Sequence, residues 1–117
     1  MLDQLVSFPL NVVFVASNGD IGYAMTGLHP QRKHNVVHGV YPKKGWLKEN
    51  QWVGLINNKL LPRVLNPKAG YIVSANNLIT SSNTKFGISH SFSFPHRFLR
   101  IRELLQEKIR EKTKLNY

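Results

Sequence analysis

The sequence contains no cysteine, which excludes disulfides, thiolate metal sites and cysteine nucleophiles together. It is also short of acids: Asp3, Asp20, Glu49, Glu103, Glu107 and Glu111 are the whole set. Asp20 falls in a turn signal and the last three glutamates fall on one charged stretch. No two carboxylates are therefore placed for the acid/base work of a glycosidase. No apolar run approaches the ~18 residues that cross a bilayer, and no membrane partner is expected. Leu10–Ala16 is apolar enough to resemble a secretion signal. However, Asp3 stands where such a signal carries Lys or Arg, and a turn follows where its cleavage site would lie. There is no Gly-x-Ser-x-Gly elbow and no phosphate loop.

What is present is a chain of 117 residues, 42% hydrophobic, with sixteen Lys and Arg and a formal net charge of +10. The length fits a single domain with a modest core. The positive charge collects in residues 29–68 and 97–117, but as short pairs such as Arg32-Lys33 and Lys43-Lys44 set among Pro, Gly and His. The C-terminal basic stretch lacks interleaved aromatics beyond Phe94 and Phe98, so stacking on bases has little support and no nucleic-acid partner is expected. His34 and His38 have the i,i+4 spacing of a zinc pair, but Gly39 follows and the stretch is not helical, so no metal is expected there. Ser82-x-x-Lys85 matches a nucleophile pattern without its companion motifs.

Along the chain, Leu10–Ser17 reads as a strand, ended by the turn signal Asn18-Gly19-Asp20 and answered by Ile21–Gly27, giving a hairpin. Small residues Gly22, Ala24 and Gly27 predict close backbone approach. Residues 28–50 read as a loop pinned to the core by Trp46, with Trp52 serving the same purpose just beyond it. The prolines in Leu60–Pro67 place an extended segment at an edge. Tyr71–Ala75 alternates as a strand, with Tyr71, Val73 and Ala75 on one face. From Ser93 the period changes. Phe98, Ile101, Leu104, Leu105 and Ile109 share a helical face, with Ser93 as N-cap and Pro95 in the first turn. Glu107 with Arg110 and Glu111 with Lys114 supply i,i+3 pairs.

Two features stand out. Asn76-Asn77 closes the Tyr71–Ala75 segment, and on spacing alone this is a turn pair, since Asn tolerates left-handed backbone. Arg97 puts a cation in the first turn of the helix, against the macrodipole by roughly 0.3–1 kcal/mol, so something must compensate. A solvated surface arginine is the default reading at this point.

The series Leu10–Gly27, Gly45-Trp46, Trp52-x-Gly54-Leu55-Ile56, Leu61–Pro67, Gly70–Asn77, Pro95-x-Arg97 and Arg100–Leu105 resembles, in order and spacing, the penicillin acylase (penicillin amidase) family of N-terminal nucleophile hydrolases. It matches an interior part of the β-subunit over about residues 10–107. The resemblance implies an α+β chain, a fragment of a four-layer αββα fold, with a hairpin and strands followed by a C-terminal helix; residues 1–117 would be a single partial domain. It implies hydrolysis of linear amide bonds through an acyl-enzyme. The nucleophile is a serine at the start of the β-subunit whose own α-amino group acts as base. That serine lies upstream of the matched region and no serine of this chain takes its place.

Carried over onto these positions, Asn76 donates its side-chain amide to the oxyanion, and Arg97 supports it electrostatically. The expected partners are a small N-acyl amide substrate and the remainder of an acylase α/β heterodimer, and the family setting is periplasmic or secreted. Some members bind calcium through an acid in the loop after the Asn pair. Here residues 78–92 contain no Asp or Glu, and Gly87 stands where the acid would be, so no cofactor is expected. On its own the chain would be inactive. The alternative is a non-catalytic remnant serving as a structural or binding module, and after that a basic nucleic-acid-binding domain.

Overall fold

The computed structural model describes Gln4, residues 7–33, residues 41–78, Ile88 and residues 92–111. Strands β1 (Asn11–Val15) and β2 (Ile21–Met25) form the expected hairpin, antiparallel with Val13 opposite Tyr23. Its turn closes through Ala16 N–H to Asp20 O at 2.8 Å, with Gly19 at φ 88. Gly22 lies opposite Phe14, whose ring occupies the space that a Cβ would need. This is the close approach that the small residues predict, and the ring covers the backbone of β2.

A strand of Arg63–Leu65 pairs antiparallel with the other side of β2, giving a three-stranded sheet with the hairpin strand β2 in the centre. That strand is an edge, as its flanking prolines require: Pro62 and Pro67 lack the N–H that a central ladder consumes. Numbered in chain order it is β5, because Pro30–Arg32 (β3) and Trp52–Leu55 (β4) precede it and form a separate two-stranded sheet. Residues 28–50 are thus not loop throughout, since Pro30 opens a strand at a position where its missing N–H costs nothing. The tryptophans do not pin this region. Trp46 is 76% and Trp52 62% exposed, because no described residue covers the outer face of β3–β4. His34, His38 and the Ser82-x-x-Lys85 match lie outside the described residues.

The core is small: Tyr23, Ala24, Ile56, Leu61 and Ala75, joined by the buried polar residues Thr26 and His29. Those polar groups are satisfied locally. Thr26 N–H donates to Leu10 O at 2.9 Å, the His29 ring nitrogen Nε2 lies 3.1 Å from Thr26 O, and His29 O accepts from Ile56 N–H at 2.8 Å. The Tyr23 hydroxyl donates to Asn11 Oδ1 at 2.6 Å, and burial pushes its pKa up to about 12. Tyr71–Ala75 is a correction. It runs extended, but it joins neither sheet among the described residues. Instead Tyr71, Ile72 and Val73 lie beside Tyr23, Pro62 and Val64 along the edge strand β5, and Ala75 enters the core.

The one α-helix among the described residues, α1, spans His96–Arg110. Pro95, not Ser93, takes the N-cap position, and no side chain caps the first turn. Proline fits because the first turn's N–H groups have no intrahelical partners in any case. The expected Glu107–Arg110 pair is replaced by Arg100–Glu103 at 2.7 Å and Lys108–Glu111 at 2.9 Å, while Arg110 donates to Gln106 O. Lys114 lies outside the described residues. The chain is therefore α+β, with small antiparallel sheets and one C-terminal helix. Among the described residues no helix is long and apolar enough to cross a membrane.

Candidate active-site segment

The extended segment 71–75 ends where Ala75 is buried, so Asn76 emerges at the rim of the core. Asn76 has φ 58, a left-handed conformation that asparagine enters at lower cost than most residues. Its carbonyl accepts from Ser93 N–H at 2.8 Å, which ties the residue to the approach of α1. Its side-chain Oδ1 accepts from Arg97 Nη2 at 2.9 Å, and the same nitrogen reaches Ala75 O at 3.3 Å.

This geometry fixes which way the Asn76 amide faces. A guanidinium only donates, so the atom facing it must be the oxygen, and the NH2 group is turned the other way. Among the described residues no acceptor engages that Nδ2. A neutral donor pair is thus held outward by a cation one bond away, and it can donate to an anionic oxygen placed beside it. The arginine's position in the helix is explained in the same step. Its charge leaves the first turn of α1 and is met by two oxygens, Ala75 O and Asn76 Oδ1, in place of a carboxylate.

The sequence pattern places Asn76 and Arg97 as separate candidates, and the structure brings them into contact. It also shows what two further residues do, of which spacing singled out only Asn77. Asn77 Oδ1 accepts from Ala75 N–H at 2.9 Å, and Asn77 Nδ2 donates to Leu78 O at 3.0 Å. The turn-pair reading therefore holds for the second asparagine. Gln106, nine positions along α1 from Arg97, donates to the Tyr71 hydroxyl at 2.9 Å. No motif marks Gln106; the nearest signal is a tyrosine at the start of an apolar segment, which needs a partner for its hydroxyl if it packs. Among the described residues no group of three or more His, Asp or Glu side chains could hold a metal. Gly87 and most of the loop after Leu78 lie outside them.

Set beside known proteins, the chain falls among acylases. It belongs to the penicillin amidase family, whose model matches residues 1–116. Acyl-homoserine lactone acylase QuiP of Pseudomonas syringae pv. tomato is 31% identical over 101 residues, covering 86% of this chain and 12% of the relative. Penicillin acylase 2 proenzyme of a Pseudomonas species is 33% identical over 87 residues, which is 74% of this chain and 11% of that protein. Penicillin G acylase of Escherichia coli is 33% identical over 107 residues, again 86% of this chain and 12% of the relative. The chain thus spans about an eighth of the length of the curated relatives it matches.

Proposed function

We propose that these residues form part of the active site of an amidohydrolase that cleaves linear amide bonds through an acyl-enzyme. In this role Asn76 donates Nδ2–H to the oxyanion and Arg97 holds and polarises it. The reading is carried by the 2.9 Å contact from Arg97 Nη2 to Asn76 Oδ1, which turns the amide NH2 away from the guanidinium with no acceptor engaging it among the described residues. As the substrate carbonyl becomes tetrahedral, its oxygen takes up negative charge. A donor fixed beforehand stabilises that charge without reorganising. The nearby guanidinium polarises the amide through its oxygen and adds a favourable field at the same point.

Attack on the carbonyl needs a nucleophile with its own base, and no residue here is assigned that role. In the reading that family membership suggests, it is the serine that begins the β-subunit, upstream of the matched region. The segment 1–117 would then be one part of a four-layer αββα domain, completed by the rest of the acylase. The substrate is an N-acyl amide. The acyl group is set by residues outside this segment.

The test is Asn76→Ala in the complete polypeptide that carries these residues, assayed on an N-acyl anilide. Loss of one oxyanion donor lowers kcat by about 10²–10³-fold, roughly 2.7–4 kcal/mol in the transition state, with expression and folding retained. A variant with wild-type kcat would sink the assignment.

A further inference from the structure

We propose that Asn77 is a positioning residue for the oxyanion donor: its side chain braces the backbone around Asn76 and sets the direction of the Asn76 amide. The inference rests on the oxyanion reading of Asn76 and extends it to a residue that the sequence pattern reads only as part of a turn.

Ala75 is only 7% exposed, and among the described residues its segment joins neither sheet. Its N–H therefore lacks the ladder partner that a buried strand residue would have, and an unsatisfied buried donor is among the costly defects of a fold. Asn77 supplies the missing acceptor through Oδ1 at 2.9 Å, reaching backward over two residues. Its other end, Nδ2, donates forward to Leu78 O at 3.0 Å. One planar amide thus bridges residues 75 and 78 and brackets Asn76 between its two anchor points.

Arg97 holds the next peptide group. Ala75 O accepts from its Nη2 at 3.3 Å, so the two peptide planes leading into Asn76 are fixed by different side chains. Asn77 holds the plane that carries Ala75 N–H, and Arg97 holds the plane that carries Ala75 O. The Ser93 N–H bond to Asn76 O at 2.8 Å fixes the plane on the far side. With φ at 58, Asn76 sits in a narrow backbone well, and its Cα–Cβ direction follows from those planes, while the Arg97 contact holds the side chain along it. Releasing the first plane lets the donor swing while leaving Asn76 and Arg97 both in place.

A donor that matters only when charge develops affects kcat, not substrate binding. In the complete polypeptide, Asn77→Ala is expected to lower kcat by about 10- to 100-fold, with KM within about threefold of wild type. Rates are normalised to active sites counted by the acyl-enzyme burst. Asn77→Ser keeps a hydroxyl acceptor at the same backbone position, the weaker equivalent of the asparagine turn. It is expected to recover part of the loss, and it carries the test if the alanine variant does not fold. Asn76→Ala is run alongside. If Asn76→Ala is inactive but Asn77→Ala turns over within about twofold of wild type per active site, the brace is not needed and the inference is overturned. A serine variant no better than alanine overturns the acceptor role. Full activity in Asn76→Ala removes the oxyanion reading and the inference with it.

Discussion

Arg97 shows how much one residue's shape can decide. Its single Nη2 meets both Ala75 O and Asn76 Oδ1, a fork that needs a planar donor at a set distance from the helix axis. Lysine would bring the charge but not the plane, and a rotating ammonium on a flexible stem holds the two oxygens less firmly. Arg97→Lys is therefore expected to lower kcat by about tenfold or more while the protein still folds, because 1.4 kcal/mol of lost positioning is tenfold in rate. The measurement is kcat on the same anilide, and an unchanged value would count against the positioning role. The charge puzzle was visible in the sequence, because a cation in a first turn without an acid beside it asks for a partner. Spacing did not show the partner, because a contact across 21 residues leaves no periodic trace; only the family resemblance pointed to Asn76.

At the scale of elements, the hairpin turn and the edge strand are fastened by side chains as well as by the ladder. Asp20 accepts from Asn66 Nδ2 at 2.7 Å and from Asn18 Nδ2 at 2.8 Å, while Asn66 Oδ1 accepts from Ile21 N–H at 3.0 Å. The hydrogen bond from Asn66, and after it that from Asn18, holds the Asp20 carboxyl below its ordinary pKa. The unfolded chain therefore takes up this proton more readily. The clasp contributes in full above the ordinary carboxylate pKa and is lost as pH falls through the lowered value in the folded state. Hydrogen exchange at the Ile21 and Asn66 amides should lose protection on acidification through that range, and Asp20→Asn should flatten the dependence. Protection that ignores pH in the wild type would contradict the clasp.

The hairpin was readable because a β-branched run met Asn-Gly, two signals that agree. The β3–β4 sheet was not, since strands of three and four residues, one half-buried and the other exposed along its whole length, carry no alternation to detect. Tyr71–Ala75 had the alternation but no ladder. Residues 71–74 are all half-buried, and Tyr71, Ile72 and Val73 all lie beside β5, so the alternation in the sequence has no counterpart in the packing.

The whole molecule exposes more than a chain of its size normally does. Its accessible surface is 9297 Å², against roughly 6500 Å² for a compact 13.4 kDa monomer. Its radius of gyration is 17.2 Å, where about 13–14 Å is usual. Much of the excess is apolar: Trp46, Trp52, Val53 and Leu55 on one side, and Leu99, Ile101, Leu104 and Ile109 along α1. Expressed alone, the 117 residues should bind a hydrophobic dye and melt without a sharp transition. A soluble monomer with a single cooperative transition would contradict this.

The Gln106–Tyr71 bond, taken with Arg97–Asn76, fastens α1 at two points to the segment that carries the donor. Nine residues of helix rise about 13.5 Å and five extended residues cover about 16 Å, so the two members are near equal in length and run in opposite senses. They make a matched pair, like two sides of a ladder pinned by two rungs. Inserting or deleting one residue between Arg97 and Gln106 would turn the far rung by about 100° around the helix and part it from its tyrosine. A change of length in this stretch is therefore expected to cost more than a substitution within it.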